Sequence, residues 1–156
     1  MNHHLRAQHS VTLSLPIRQC QMLFTPAGEE LWVKGWKPTY HHPTDGRTQR
    51  GMVFSTGAGD ELTFWSLVDF ERGANRHFAR YMRVTPALRS GLVEVECSET
   101  SGGSTRVQVS YEMTALTLAG QASLQAYEPE NFARMIEEWH SLIGAKLPAL
   151  AAAQIR

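Results

Sequence analysis

The amino-acid sequence predicts an α+β fold in which a curved antiparallel sheet packs against one long C-terminal helix. Six consecutive segments with strand composition follow one another through the middle of the chain. The connections between them are short, which favours antiparallel pairing of neighbours. After residue 129 the hydrophobic period changes to 3.6, which is typical of an amphipathic helix. A helix laid across the concave face of the sheet would bury both apolar surfaces.

The chain opens with a predicted strand followed by two short helices. Residues 10–16 alternate between polar and apolar positions, and the residues before them are expected to form a frayed, flexible terminus. Residues 17–24 carry apolar side chains at helical spacing. Thr25 followed by Pro26 predicts a second helix start, with an N-cap and a proline in the first turn. Gly35 is expected to end this segment in the left-handed conformation.

The remaining elements give the order β-αα-ββββββ-α, with seven strands in all. The six later strands are predicted at residues 36–42, 51–56, 61–71, 77–85, 91–99 and 104–116. The C-terminal helix is predicted to begin near Pro129, and Pro148 to end or kink it before a helical tail. Its apolar stripe consists of Phe132, Met135, Ile136, Trp139, Leu142, Ile143 and Leu147.

Length and composition predict a single domain over residues 1–156, with a core at about residues 10–147. The chain has 15 basic and 15 acidic residues, so a nucleic-acid partner is not expected. No apolar run is long enough to suggest a transmembrane segment. Two cysteines without metal-ligand spacing predict reduced thiols, a cytoplasmic location, no metal and no cofactor. The sequence leaves a homodimer open.

Several segments resemble the START-related, birch-pollen-allergen-like superfamily, often called SRPBCC. They are LFTPAGEELWVKGWKP, GMVFST, TFWSLVDFE, TRVQVSYEMTALTLAG and FARMIEEWHSLI, and the resemblance spans about residues 10–147. The resemblance implies a helix-grip fold, in which the curved sheet wraps around the C-terminal helix and encloses a cavity. The implied partner is a hydrophobic or amphipathic small molecule. The superfamily has no shared catalytic motif, so the resemblance assigns no catalytic residue.

Alternation along the strands predicts which side chains face this cavity. Val107, Val109, Tyr111 and Met113 share one face of the last strand and are expected to point inward. The strand at residues 61–71 is apolar on both faces, and an inward Trp65 is preferred mainly by resemblance.

The strand at residues 77–85 leaves two arrangements open. Either Phe78, Met82 and Val84 point inward, or Tyr81 and Arg83 do. General exposure statistics favour an outward Arg83. An inward Arg83 would require an anionic partner in the protein or in a ligand, because a buried unpaired guanidinium is costly.

Two acidic pairs are candidates for acid–base chemistry, and neither is retained. Glu94 and Glu96 alternate with apolar residues and are expected on a solvated face. Glu29 and Glu30 lack a partner that would make them a catalytic pair. Catalytic residues therefore stay unassigned. The candidate cavity-lining residues are Trp36, Tyr40, Phe54, Trp65, Leu67, Tyr81, Arg83, Val95, Val109, Tyr111, Met113, Met135 and Trp139.

Three functions agree with this pattern. The first is binding or transport of a hydrophobic small molecule, such as a lipid, an isoprenoid or an aromatic polyketide-like compound. The second is a cyclase or dehydratase type of enzyme that uses polar residues of the same cavity, drawn from Tyr40, His42, Tyr81, Arg83 and Tyr111. The third is a protein-interaction module, which a collapsed cavity and a large exposed apolar patch would favour.

Overall fold

The computed structural model describes the backbone of residues 3–152 and the side chains of residues 3–149. The strands within this range are β1 (His4–Leu13), β2 (Thr39–His42), β3 (Val53–Thr56), β4 (Thr63–Arg72), β5 (Arg76–Thr85), β6 (Arg89–Glu99) and β7 (Thr105–Ala115). The α-helices are α1 (Ile17–Leu23), α2 (Pro26–Glu29), α3 (Leu118–Ser123) and α4 (Pro129–Ala152).

The seven strands form one antiparallel sheet in the order β1-β7-β6-β5-β4-β3-β2. Each strand from β2 to β6 pairs with its successor, as the short connections predict. The first strand crosses to the far edge and pairs with β7. The predicted α+β architecture with a seven-stranded sheet and a long C-terminal helix is therefore confirmed.

The start of β1 and the end of α4 differ most from the sequence prediction, whereas the limits of the other strands shift by a few residues only. Strand β1 starts at His4 rather than at residue 10, because residues 4–9 pair with β7 and are not a frayed segment. Helix α4 continues through Pro148 to Ala152. Pro148 is exposed and close to the end of the helix, where the loss of one backbone hydrogen bond is tolerated. The predicted helical tail beyond Ala152 lies outside the described residues.

Helix α3 was not predicted. Thr117 caps it by accepting a hydrogen bond from the backbone N–H of Gly120 at 2.9 Å. A Cβ atom at Gly120 would lie 1.7 Å from the carbonyl oxygen of Leu88, so only glycine permits this approach. The short helix therefore depends on a tertiary contact that no local pattern reveals.

Helix α4 packs over β1 and β7. The side chains of Phe132, Ile136 and Ile143 are fully buried, and α4 contacts β1 directly. The Phe132 ring lies edge-on to the Tyr111 ring of β7, with 4.9 Å between the centroids. The predicted apolar stripe thus supplies the main helix-on-sheet contact. No helix of the described residues is long and apolar enough to cross a membrane.

A corner formed by residues 17–36 packs next to α4 on the same face of the sheet. Thr25 caps α2 by accepting a hydrogen bond from the backbone N–H of Gly28 at 3.0 Å, as predicted. The Trp32 ring packs edge-on against the Trp139 ring of α4, with 5.6 Å between centroids. Gly35 has φ +72°, which confirms the predicted left-handed end. The corner is thereby fixed to α4 and turns the chain toward β2.

Candidate functional site

A cavity of about 250 Å³ lies between the corner and strands β3, β4 and β5. Ligand sites in proteins usually enclose ~300–1,000 Å³, so this cavity is slightly smaller than that range. Sixteen residues line it: Phe24, Pro26, Glu29, Val33, Trp36, Phe54, Thr56, Glu61, Thr63, Trp65, Tyr81, Arg83, Val93, Val95, Tyr111 and Trp139. We call β3–β5 with the corner the cavity half of the molecule, and β1, β7 and α4 the packed half.

An aromatic cluster of Trp36, Phe54, Trp65 and Tyr81 forms one wall of the cavity. Phe54 and Trp65 are direct partners across β3 and β4, and their rings stack with 5.5 Å between centroids and 6° between planes. The Trp36 ring meets both of them edge-on, and the Tyr81 ring does the same from β5. Such paired rings stabilise one another beyond simple burial. They therefore present a fixed apolar wall.

Hydrogen bonds fix the polar edges of the two tryptophans. The indole N–H of Trp36 donates to the carbonyl oxygen of Pro26 at 2.8 Å. The indole N–H of Trp65 donates to Thr56 Oγ1 at 3.0 Å. Both donors are satisfied by the protein, so the rings offer their apolar surfaces to the cavity.

Arg83 points into the cavity, against the exposure statistics that favoured an outward side chain. It is 9% exposed, and its Cζ atom lies 4.5 Å from the centroid of the Trp65 ring. Trp65 and Arg83 are partners across β4 and β5, so the same face of the sheet carries both. A cation over an indole ring is attracted by its π-electrons. The contact orients the guanidinium without neutralising its charge.

Glu29 also lines the cavity, at the end of α2. Burial raises the pKa of its carboxyl group well above the ordinary value of 4.5, because the charged form loses its hydration. Burial likewise raises the pKa of Tyr81, and the charge of Glu29 adds to that effect. Glu29 is therefore shifted toward its neutral, proton-carrying form, and the Tyr81 hydroxyl donates to the carbonyl oxygen of Phe24 at 3.4 Å.

The Tyr111 hydroxyl connects the two ionisable groups. Burial raises its pKa most strongly, the nearby Arg83 charge lowers it, and Tyr127 and Glu29 raise it slightly. Arg83 and Tyr111 are near enough to interact, although no hydrogen bond of regular geometry joins them. The cavity thus combines apolar walls with a small number of converging polar groups, as ligand sites do.

No metal site accompanies these groups in the part of the chain that the structure describes. Within residues 3–152, no three His, Cys, Asp or Glu side chains are placed to hold a metal ion. The two cysteines, Cys20 and Cys97, are free and buried. Burial raises the pKa of Cys20 to about 11, which suppresses its thiolate.

No family model and no curated protein matches the chain. Solved structures do match. The hypothetical protein jhp0584 from Helicobacter pylori has 12% identity and a TM-score of 0.67 over 96% of this chain and 87% of that chain. The allergen Ara h 8.0201 has 13% identity and a TM-score of 0.62, covering 96% of this chain and 99% of that chain. The chain has the birch-pollen-allergen-like helix-grip fold.

A further helix-grip match is PFC0360w, an HSP90 activator from Plasmodium falciparum. It has 10% identity and a TM-score of 0.55, over 95% of this chain and 96% of that chain. At such identities the likeness concerns the fold alone. The site must therefore be argued from the residues of this chain.

Eight of the thirteen candidate residues line the cavity of this helix-grip chain. They come from the corner, from β3 to β7 and from α4: Trp36, Phe54, Trp65, Tyr81, Arg83, Val95, Tyr111 and Trp139. The inward face of β7 is confirmed, because Val107, Val109, Tyr111 and Met113 are all buried. The inward Trp65 is confirmed as well.

The other five candidates do not line the cavity. Leu67, Val109 and Met113 are fully buried, so they fill the core instead. Met135 packs against that core from α4. Tyr40 packs beside Phe54 at 6.5 Å between ring centroids, and its hydroxyl donates to Glu30 at 3.1 Å on the exposed side.

Glu29 is the functional candidate that the sequence analysis dropped. Glu29 and Val33 are four residues apart, and the backbone N–H of Val33 donates to the carbonyl oxygen of Glu29 at 2.8 Å, so both side chains reach the cavity that Trp36 also lines. That spacing was a signal available in the sequence. Glu94 and Glu96, in contrast, lie on the outer face as predicted and pair with Arg80 and Arg76.

Proposed function

We propose that the chain binds or transports a small hydrophobic molecule in the cavity half, with the aromatic cluster as the main contact surface. The observation that carries the proposal is the cavity of about 250 Å³ walled by Trp36, Phe54, Trp65 and Tyr81. A cavity of this size suits a compact ligand of one to a few rings better than a long acyl chain. An aromatic or isoprenoid-like compound is therefore favoured over an intact lipid.

Three features support binding. The wall is fixed by ring contacts and hydrogen bonds, so little ordering is needed when a ligand enters. The apolar surface is interrupted by few polar groups, which would set orientation. The allergen Ara h 8.0201 matches 96% of this chain, and its fold is one associated with ligand binding.

A neutral two-ring probe, 2-naphthol, tests the proposal through the fluorescence of the cavity tryptophans. We expect saturable quenching in the native protein. Val93→Phe fills the cavity from β6 and should weaken binding at least about tenfold, which corresponds to about 1.4 kcal/mol. Val68→Phe adds the same ring on the outer face, where Val68 is 41% exposed, and should leave binding unchanged.

Two results would contradict binding in this cavity. One is an absence of saturable quenching while the protein is folded by circular dichroism. The other is equal weakening by Val93→Phe and Val68→Phe, which would indicate an effect of added apolar surface rather than of cavity volume.

A second candidate function is acid–base chemistry on a bound molecule, of the cyclase or dehydratase type. The observation that favours it is Glu29, which lines the cavity and whose raised pKa favours the proton-carrying form of its carboxyl group. Tyr81 and Tyr111 line the same cavity and add two hydroxyl groups that carry protons. Binding is the function that both candidates require, and it is the one we propose first.

A further inference from the structure

Two buried arginines face the inner side of the sheet, and only one of them has a carboxylate partner. Arg89 is 5% exposed, and its Nη2 donates to both carboxylate oxygens of Glu61 at 3.1 and 3.2 Å. Arg83 is 9% exposed and forms no salt bridge within the described residues. The salt bridges of those residues involve other arginines. The Nε atom of Arg83 also has no hydrogen-bond partner in the protein.

The other charged residues of the cavity lining do not neutralise Arg83. Glu61 is engaged by Arg89. Glu29 forms no salt bridge within the described part of the chain, and its burial favours the neutral acid over the carboxylate. The Trp65 ring gives a cation–π contact, which orients the guanidinium but supplies no negative charge. A guanidinium stays charged at every accessible pH.

We propose that the ligand of the cavity is an organic anion whose carboxylate or sulfonate pairs with Arg83 while its flat apolar body packs against the aromatic cluster. This inference rests on the binding function proposed above. A planar guanidinium matches two oxygens of such a group at once. The register places Arg83 directly beside Trp65, which lies beside Phe54. Arg83, Trp65 and Phe54 thus form one row across β5, β4 and β3. In this row Arg83 would pair with the anionic group, and the two rings would contact the apolar body of the ligand.

The test compares two probes of the same shape, 2-naphthoate and its neutral amide, 2-naphthamide. Isothermal titration calorimetry of the native protein should show the acid bound at least about tenfold more tightly, as expected for hydrogen bonds to a charged group. Arg83→Met removes the charge and should bring the two affinities within about twofold of each other. Arg106→Met, at an exposed position on the outer face of β7, should keep the native preference.

A second variant and a second measurement guard against a folding defect. Arg83→Lys keeps the charge but loses the planar fork, so the preference for the acid should fall only partly. Without any probe, Arg83→Met should raise the melting temperature by roughly 2–4 °C, because an unpaired buried charge is replaced by an apolar side chain. A lower melting temperature for Arg83→Met would mean that the guanidinium is already neutralised, and would overturn the inference.

The remaining outcomes separate this inference from the proposed function. If both probes bind equally and Val93→Phe blocks both, the anion inference is wrong and binding of small aromatic molecules stands. A preference for the acid that persists in Arg83→Met also overturns it, because the anion then binds elsewhere. If neither these probes nor 2-naphthol bind to the folded protein, the proposed function is wrong, and this inference with it.

Discussion

The packed half and the cavity half of the sheet differ in how their large side chains meet. In the packed half, Phe132, Ile136 and Ile143 of α4 fill the space above β1 and β7 and are fully buried. In the cavity half, rings of β3, β4 and β5 contact one another side by side along the sheet, one pair stacked and one pair edge-on. Side chains that stack along a sheet leave room above it, whereas side chains that interdigitate between layers do not.

The two halves also differ in what covers them. Helix α4 is long and continuous, and it closes the packed half with an apolar stripe. The corner that covers the cavity half is short and irregular, and it brings Glu29 and Trp36 to the cavity rather than a row of aliphatic residues. The carboxyl group of Glu29 therefore reaches the cavity because the corner, and not an apolar helix stripe, covers this half. We therefore expect substitutions in the packed half to affect mainly stability and substitutions in the cavity half to affect mainly the proposed binding.

Truncation of one large aromatic ring in each half should give the largest difference between the two halves, measured as the loss in free energy of unfolding. Phe132→Ala should lower the free energy of unfolding by about 3–5 kcal/mol, because it opens a cavity in a packed core. Trp36→Ala should cost only about 1–2 kcal/mol, because Trp36 is half-buried and faces an existing cavity. Urea unfolding curves measure both values.

Trp36→Ala and Phe132→Ala should rank in the opposite order in their effect on the affinity for 2-naphthol. Trp36→Ala removes part of the aromatic wall and should weaken 2-naphthol binding about tenfold. A folded Phe132 variant should bind almost normally, and a more conservative Phe132→Leu serves if Phe132→Ala does not fold. Equal stability losses at the two positions, with binding unaffected in both, would make Trp36 a structural corner residue only.

A smaller effect is expected from the carboxyl group of Glu29 in the cavity half, which should make stability depend on pH. The pKa of Glu29 is raised in the folded protein, so the folded state holds this proton more tightly than the unfolded state. The associated stability is full below about pH 4.5 and is lost as the pH rises through the raised pKa. Glu29→Gln carries no charge at any pH, and it should therefore become more stable than the native protein as the pH rises.

Each unit by which the pKa is raised corresponds to about 1.4 kcal/mol at high pH. Urea unfolding between about pH 4 and about pH 8 measures the difference, with the exposed Glu138→Gln as the matched control. Equal pH profiles for the native protein and Glu29→Gln would show a solvated carboxylate. That result would also remove the proton donor from the second candidate function.

The fold was predictable because two periodic patterns agree with one architecture. Alternation in β7 places Val107 and Val109 inside, and the helical stripe of α4 buries Phe132 and Ile136, as expected. Both patterns come from long elements, in which many apolar residues repeat at the period of the strand or of the helix. Helix α3 was missed because its start depends on a close approach to another segment of the chain.

The site was only partly predictable, because a period of two separates faces but cannot show which inner positions a helix covers. Val109 and Tyr111 share an inner face, and only Tyr111 reaches the cavity. Arg83 was listed among the cavity residues with both orientations left open, because general exposure statistics, which describe ordinary surfaces, favour an outward arginine. Glu29 was dropped for lack of a sequence partner, although its environment is formed by side chains distant in the sequence.

The location of a bound probe tests the division of the molecule most directly. Intermolecular nuclear Overhauser effects between 2-naphthol and the protein would be measured on the native chain. We expect contacts with the side chains of Trp36, Trp65 and Tyr81 in the cavity half. Contacts confined to Phe64 and Met82, which are 40% and 48% exposed on the outer face of the sheet, would contradict it.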